Sequence, residues 1–224
     1  MRVLYCGHRE WALRLLQRLR GLDGYRFVHV RDPKDLTAQS VRRARVKIAI
    51  FADWSWTVPV DVLGAVECVG FHAAPLPDFR GGSPIQNQIV RGIKRTTLTA
   101  FQMTQDVDAG DILLEAPLSL EGSLPQILGR IELAEFRMIR RILNRDFVPR
   151  PQTGKGQFYR RRRPEESELQ DLAMPLERLY DFIRMLADPY PNAFIRMDGK
   201  QIVFKDARFD GERITFRGEI VCKS

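Results

Sequence analysis

His72 and Asp108 are the two side chains whose setting points to chemistry. His72 follows the apolar run 66–71, which holds Glu67 inside it and reads as the end of a buried strand. Asp108 lies in the acidic, glycine-bearing turn Asp106-Val107-Asp108-Ala109-Gly110-Asp111, just before a second apolar run that starts at Ile112. A carboxylate beside an imidazole fixes its tautomer. Such a pair can shuttle a proton while a nucleophile attacks a carbonyl-like carbon. Taken singly, each residue has a plainer reading. A histidine at a strand exit is a loop or capping group, and Asp-x-Asp-x-Gly is ordinary turn chemistry. Asn87, one turn into a helix, could bind substrate or only satisfy backbone groups. The three histidines are scattered and no cysteine is near them, so no metal site is expected.

The elements that must position these groups alternate. Residues 2–6 read as a first strand and Gly7 as a tight turn. Residues 8–20 carry Trp11, Leu15, Leu16 and Leu19 at helical spacing. Strands follow at 25–30 and 47–51, with a short helix at 36–44 that Thr37 could begin. A helical turn after Pro59 leads into the strand that ends at His72. Prolines stiffen its exit, Gly81-Gly82 lets the chain turn, and Ser83 with Pro84 starts a helix over 83–91 that Gly92 ends. Residues 96–104 alternate as a strand with Thr97, Thr99, Phe101 and Met103 on one side. In 112–120 the strand carries Pro117, which places it near an edge. A helix over 123–145 is the longest periodic stretch. The fold class is therefore α/β, with a parallel, Rossmann-like sheet and crossover helices. Only Gly7 stands in the first turn, so the dinucleotide fingerprint is missing. In such sheets ligands sit beyond the strand carboxyl ends, where His72 falls.

Prolines and glycines from Pro149 to Gly156 mark a linker. We read residues 1–151 as the main domain and 152–224 as a small C-terminal lobe, with a helix near 175–186 and extended pieces near 193–197, 201–204 and 213–220. The 44% hydrophobic and 29% charged residues are ordinary for a globular protein. No apolar run nears membrane-span length, and the start reads as a strand rather than a secretion signal. Three cysteines without metal spacing suit a reducing cytoplasm. The net charge of +8 fits an anionic small molecule, a nucleic acid or a plain arginine bias.

The stretch His72-Ala73-Ala74-Pro75-Leu76-Pro77-Asp78-Phe79-Arg80-Gly81-Gly82-Ser83-Pro84-Ile85-Gln86 resembles the His-Pro-Ser-Leu-Leu-Pro-x-x-Arg-Gly-x-x-Pro-Ile-Gln signature of the 10-formyltetrahydrofolate-dependent formyltransferases. Thr97 to Met103 and Val107 to Leu113 are similar to the same family's Thr-Gly-Val-Thr-x-x-x-Met and Leu-Asp-Thr-Gly-Asp motifs, in the same order. The C-terminal stretch around Pro189-Tyr190-Pro191 resembles the tail lobe of its longer members. The resemblance implies that the α/β sheet is mixed and mainly parallel. It also implies formyl transfer from N10-formyltetrahydrofolate to an amine, with His72 as acid/base and Asp108 orienting it. It implies folate contacts at Trp54, Arg80, Gly82, Ile85, Asp106 and Val107, although Trp54 and Trp56 could equally be core packing. Acceptor contacts fall at Gly7, His8, Arg9, Asp78, Asn87 and Arg160. The family usually has asparagine two positions before the histidine, its amide serving the formyl oxygen, and this chain has Gly70. Gly70 could leave room for another acceptor. No insert follows Arg80-Gly81, and arginines such as Arg9, Arg160 or Arg163 could clamp a pyrophosphate. The expected acceptor is accordingly an amino sugar nucleotide. The alternatives are a methionyl-tRNA formyltransferase-like activity or a folate-binding protein with altered catalysis. A nucleic acid is not the expected partner, no membrane is expected, and the long helix or the tail could form a homodimer.

Overall fold

Buried strands of four to eight residues, each carried to the next by a helix or a loop, build the main sheet. The structure is a computed structural model that describes residues 1–222. Its elements run β1 (Arg2–Cys6), α1 (Glu10–Leu19), β2 (Arg26–Val30), α2 (Ala38–Ala44), β3 (Ile48–Phe51), α3 (Val60–Leu63), β4 (Glu67–His72), β5 (Arg80–Gly81) and α4 (Pro84–Ile89). They continue with β6 (Arg95–Gln102), β7 (Ile112–Ser119), α5 (Leu124–Leu143), β8 (Phe158–Tyr159), α6 (Leu176–Arg184), β9 (Ala193–Met197), β10 (Lys200–Phe209) and β11 (Ile214–Cys222). Two compact units form. One consists of Met1–Gly81, Thr96–Leu118 and Leu128–Phe158, the other of Gly82–Arg95, Ser119–Ile127 and Tyr159–Ser224. The proline- and glycine-rich linker thus precedes the last passage between units, and two earlier segments, 82–95 and 119–127, also belong to the second unit.

In the first unit the sheet order is β2-β1-β3-β4-β6-β7. β1 pairs with β2 and β3 in parallel, β3 pairs with β4 in parallel, and β4 pairs with β6 antiparallel. The sheet is therefore mixed and mainly parallel, its parallel part being what the alternation of strands and helices implies. β1 and β3 are buried over nearly their whole length, which is why they read as unbroken apolar runs. On one face Leu4, Cys6, Ala49, Phe51 and Cys68 pack with Leu36, Val41, Val58 and Val62 from the crossovers. α1 buries Trp11, Ala12, Leu15, Leu16 and Leu19. A leucine so buried contributes about 1.5–3 kcal/mol. Thr37 begins α2 through a capping box with Ser40. β7 ends the sheet order, in keeping with Pro117.

The strand expected over 96–104 is β6, and its Leu98, Thr99, Ala100 and Phe101 are buried, so both of its faces are covered there. One local expectation changes: Ser83 does not cap α4. Its φ is 53°, and its hydroxyl accepts from the Arg162 backbone N–H at 3.1 Å. Pro84 does occupy the first helical turn.

The second unit holds a three-stranded sheet in the order β11-β10-β9. β10 and β11 pair antiparallel, and the Asp210 carboxylate accepts from the Glu212 and Arg213 N–H groups in the turn between them. α6 lays Ile183 and the ion pair Asp181–Arg184 into the interior. Among the described residues no helix is long and apolar enough to cross a membrane, and no group of potential ligands is placed to hold a metal.

Candidate active site

β4 delivers His72 to the sheet's carboxyl edge. Thr99 lies opposite it in register, and the Thr99 hydroxyl donates to Ala74 O at 2.7 Å, fixing the chain as it leaves the sheet. His72 is only 6% exposed. The loop that follows turns back at Phe79, whose φ is 58°, and presents its carbonyl to the imidazole. His72 Nε2 donates to Phe79 O at 2.7 Å. A carbonyl can only accept, so Nε2 carries a hydrogen. His72 Nδ1 stands 3.5 Å from Asp108 Oδ2. The imidazole can give a hydrogen to both partners at once only when doubly protonated.

Asp108 is held in turn. Gly81 N–H donates to its Oδ2 at 2.8 Å. Its backbone has a φ of 52°, a left-handed value that aspartate tolerates better than most residues. The turn is tightest two residues on. A Cβ on Gly110 would lie 1.8 Å from Gln102 O, so only glycine lets the turn close this tightly. Gln152 adds a second tether, its Nε2 donating to Asp108 O at 2.8 Å and to Gly110 O at 2.7 Å. The same side chain's Oε1 accepts from Arg80 Nε and Nη2 at 3.1 and 2.6 Å. Sequence reasoning missed Gln152 because it sits in a linker without periodicity. Its only signal was its place after Pro151 in a stretch rich in turn formers.

Gly70 offers no vacant space. A Cβ there would meet the Phe101 ring at 2.9 Å and Met103 Cγ at 3.1 Å. The position beside the imidazole is therefore apolar and filled, which corrects the expectation that Gly70 leaves room for an acceptor.

The exits of β1 and β3 bring a second group together, since these strands are neighbours and run the same way. Gly7 must lack a side chain, because a Cβ would sit 2.7 Å from Ala52 O. The His8 ring lies 4.5 Å from Trp56, and Trp54 lies 4.9 Å from Trp56 and 5.9 Å from Phe51. Arg9 Nε pairs with Asp53 Oδ2 at 3.5 Å. Trp54 Nε1 is buried with no hydrogen-bond acceptor among the described residues. Asp78, Asp106 and Val107 are exposed, while Arg80 is spent on Gln152.

The remaining sequence candidates belong to the second unit. Ile85 is buried packing. Asn87 is buried and donates to Gly82 O at 2.9 Å, so it serves the backbone. Gly82 N–H donates to Tyr159 O at 2.8 Å, and a Cβ on it would strike the Arg161 backbone. Arg160 pairs with Glu166 at 2.6 Å. A cleft of about 400 Å³ opens here, lined by Arg91, Arg160, Arg162, Tyr159 and Glu166 among others. Arg91 lies over the Tyr159 ring at 4.5 Å. Burial pulls the Arg162 guanidinium below its usual pKa, and the nearby Arg160 and Arg91 add to that.

A mainly parallel sheet with a His–Asp pair at its carboxyl edge defines an α/β protein built for acid–base work on a ligand. A formyl transferase family model matches residues 22–124, and a model described as the methionyl-tRNA formyltransferase C-terminal domain matches residues 164–221. The solved methionyl-tRNA formyltransferase from Clostridium thermocellum is 32% identical, covers 100% of both chains and superposes with a TM-score of 0.95. The chain belongs to the formyltransferase family. Methionyl-tRNA formyltransferase of Bacillus licheniformis is 31% identical over 141 residues, 60% of this chain and 44% of that protein. The chain thus matches about half the length of the curated relatives. A sugar N-formyltransferase from Shewanella is 17% identical over 92% of this chain with a TM-score of 0.71, a likeness of fold alone. These findings overturn the expectation that set nucleic acid aside as a partner: the relatives above 30% identity are named for a tRNA, not for a sugar.

Proposed function

We propose that this chain transfers the formyl group of N10-formyltetrahydrofolate to the amine of methionyl-tRNA. The observation that carries this reading is similarity, at 32% identity and over the whole of both compared chains, to a solved methionyl-tRNA formyltransferase. The +8 net charge and the cleft with Arg91, Arg160 and Arg162 add support, since guanidinium groups are the natural partners of RNA phosphates. The folate fits the residues present. The buried Trp54 indole N–H leaves β3 one strand away from His72 and lacks an acceptor that such a ligand would bring. When bound, the folate supplies a one-carbon unit at the formyl level.

The chain's own groups handle protons. An amine that becomes an amide gives up a proton, and His72 is placed to carry it. Asp108 can take a hydrogen from Nδ1, so Nε2 is the working nitrogen; substrate must displace Phe79 O from it, and Nε2 receives the amine's proton only in the neutral ring that carries its hydrogen on Nδ1. Gly70 supplies no amide and Phe101 crowds its place, so once protonated the imidazole is the side-chain donor this reading assigns to the reacting oxygen.

Incubating the purified chain with N10-formyltetrahydrofolate and methionyl-tRNA should yield formylmethionyl-tRNA. His72→Ala should lower the rate by about 10²–10⁴-fold. Absence of formylated tRNA, with the folate bound and the protein folded, would remove the proposal.

A further inference from the structure

We propose that Gln152 is a positioning residue that sets the catalytic pair by holding the Asp108 turn against the strand exit that carries His72. All of the groups concerned lie in the first unit. The amide nitrogen of Gln152 bridges the carbonyls of Asp108 and Gly110, and its oxygen receives both hydrogens of one edge of Arg80. Arg80 stands between Phe79, whose carbonyl takes the His72 Nε2 hydrogen, and Gly81, whose N–H holds the Asp108 carboxylate. The contacts close a ring: imidazole, Phe79, Arg80, Gln152, Asp108 and back to the imidazole. Asp108 and Phe79 are both left-handed, at φ 52° and 58°. Such backbone is kept by the contacts around it, and the Gln152 side chain touches both segments, Arg80 beside Phe79 and the Asp108 and Gly110 carbonyls. Its own place is secured by the bridge that Arg150 makes to Ile112, with N···O distances of 2.8 and 2.9 Å.

The role needs both ends of the amide. An alanine removes everything. A glutamate keeps the acceptor for Arg80 but turns an oxygen toward two carbonyl oxygens, so it should fail at Asp108 while still gripping Arg80.

The catalytic part rests on the proposed function, so the test has an arm that does not. The ¹⁵N resonances of the His72 ring are measured in the free protein for wild type, Gln152→Ala and Gln152→Glu. Both variants should move the Nδ1 signal, reporting a loosened Asp108. In formyl transfer both should lose kcat up to about 100-fold, the scale of a small misplacement, with KM within about threefold. In an Asp108→Asn background the further loss should shrink to less than twofold, because the residue acts through Asp108. An unmoved Nδ1 signal in both variants overturns the proposal, as does full additivity with Asp108→Asn. If neither variant folds, Gln152 is a stability residue and the proposal is likewise overturned. If the wild type transfers no formyl group to tRNA, the assigned activity fails while the resonance measurement still decides the positioning role.

Discussion

Glu135 is a carboxyl with no room for a charge. It is 3% exposed on α5, and its Oε2 has no hydrogen-bond partner among the described residues. Burial pushes its pKa well above the usual 4.5, and the nearby Asp53 and Glu132 carboxylates push it further. The Tyr5 hydroxyl, which donates to Ala12 O at 2.6 Å, is pushed up too, by burial first and by Glu135 next. The sign follows from proton counting. Above pH 4.5 the unfolded chain has released this proton while the folded chain still holds it, so the contribution to stability is complete below that pH and declines as pH rises toward the folded value. The slope from this one group approaches about 1.4 kcal/mol per pH unit. Glu135→Gln should remove that slope and stabilise the protein at neutral pH. Denaturation midpoints from pH 5 to 8 measure it, and parallel curves for the two proteins would refute it. Nothing in the sequence marked Glu135, which sits in an amphipathic helix among ordinary surface charges. His72 and Asp108 were not marked singly, since each has a plain reading as a loop or turn residue; two motifs in the order of one family pointed to them together, and the fold sets Nδ1 and Oδ2 3.5 Å apart. Gly70 was legible as a departure, but its meaning was not. Only the packing shows that Phe101 and Met103 take the space.

Among elements, α6 depends on a buried ion pair. Arg184 and Asp181 are both largely buried, and the guanidinium donates to Asp181 at 2.7 Å and to the carbonyls of Leu120 and Gly122, each at 2.7 Å. The pair's net worth against an apolar substitute is small, but breaking it leaves a buried carboxylate and two carbonyls without a donor. Arg184→Ala should cost about 3–5 kcal/mol. Replacing both partners, as Asp181→Leu with Arg184→Met, should cost much less. Urea unfolding followed by amide exchange in α6 reads both, and equal losses would show that the charge is not the cause. The helices were readable from periodicity in α1 and α5, while α2 offered only the Thr37 cap, which the structure bears out. Ser83 was misread because a cap was inferred from residue type alone, and its hydroxyl was claimed by the Arg162 backbone instead. β6 was legible as a strand from its alternation, but that both of its faces are covered at 98–101 shows only in the packing.

At the scale of the whole molecule the question is whether the +8 charge acts diffusely or at one place. Arginines are spread along the chain, and the sequence offered Arg9, Arg160 or Arg163 as an anion clamp without bringing any of them together. In the second unit Arg91, Arg160 and Arg162 share one cleft with a single carboxylate, Glu166. Burial and mutual repulsion lower the Arg162 pKa, so the group would gain from an anion more than a solvated arginine does. Under the proposed function that anion is an RNA phosphate. Binding of tRNA should then weaken as salt rises, with log affinity linear in log salt. Changing Arg91, Arg160 and Arg162 together to glutamine should flatten that slope by about 2, since each lost phosphate contact removes roughly 0.7–0.9. The comparison that isolates the cleft is a second triple change, Lys200, Arg208 and Arg217 to glutamine. These side chains are exposed on β10 and β11 and remove the same net charge. If the cleft is the contact, the second variant keeps the wild-type slope. Equal flattening in both would mean that the overall field, and not this cleft, holds the RNA.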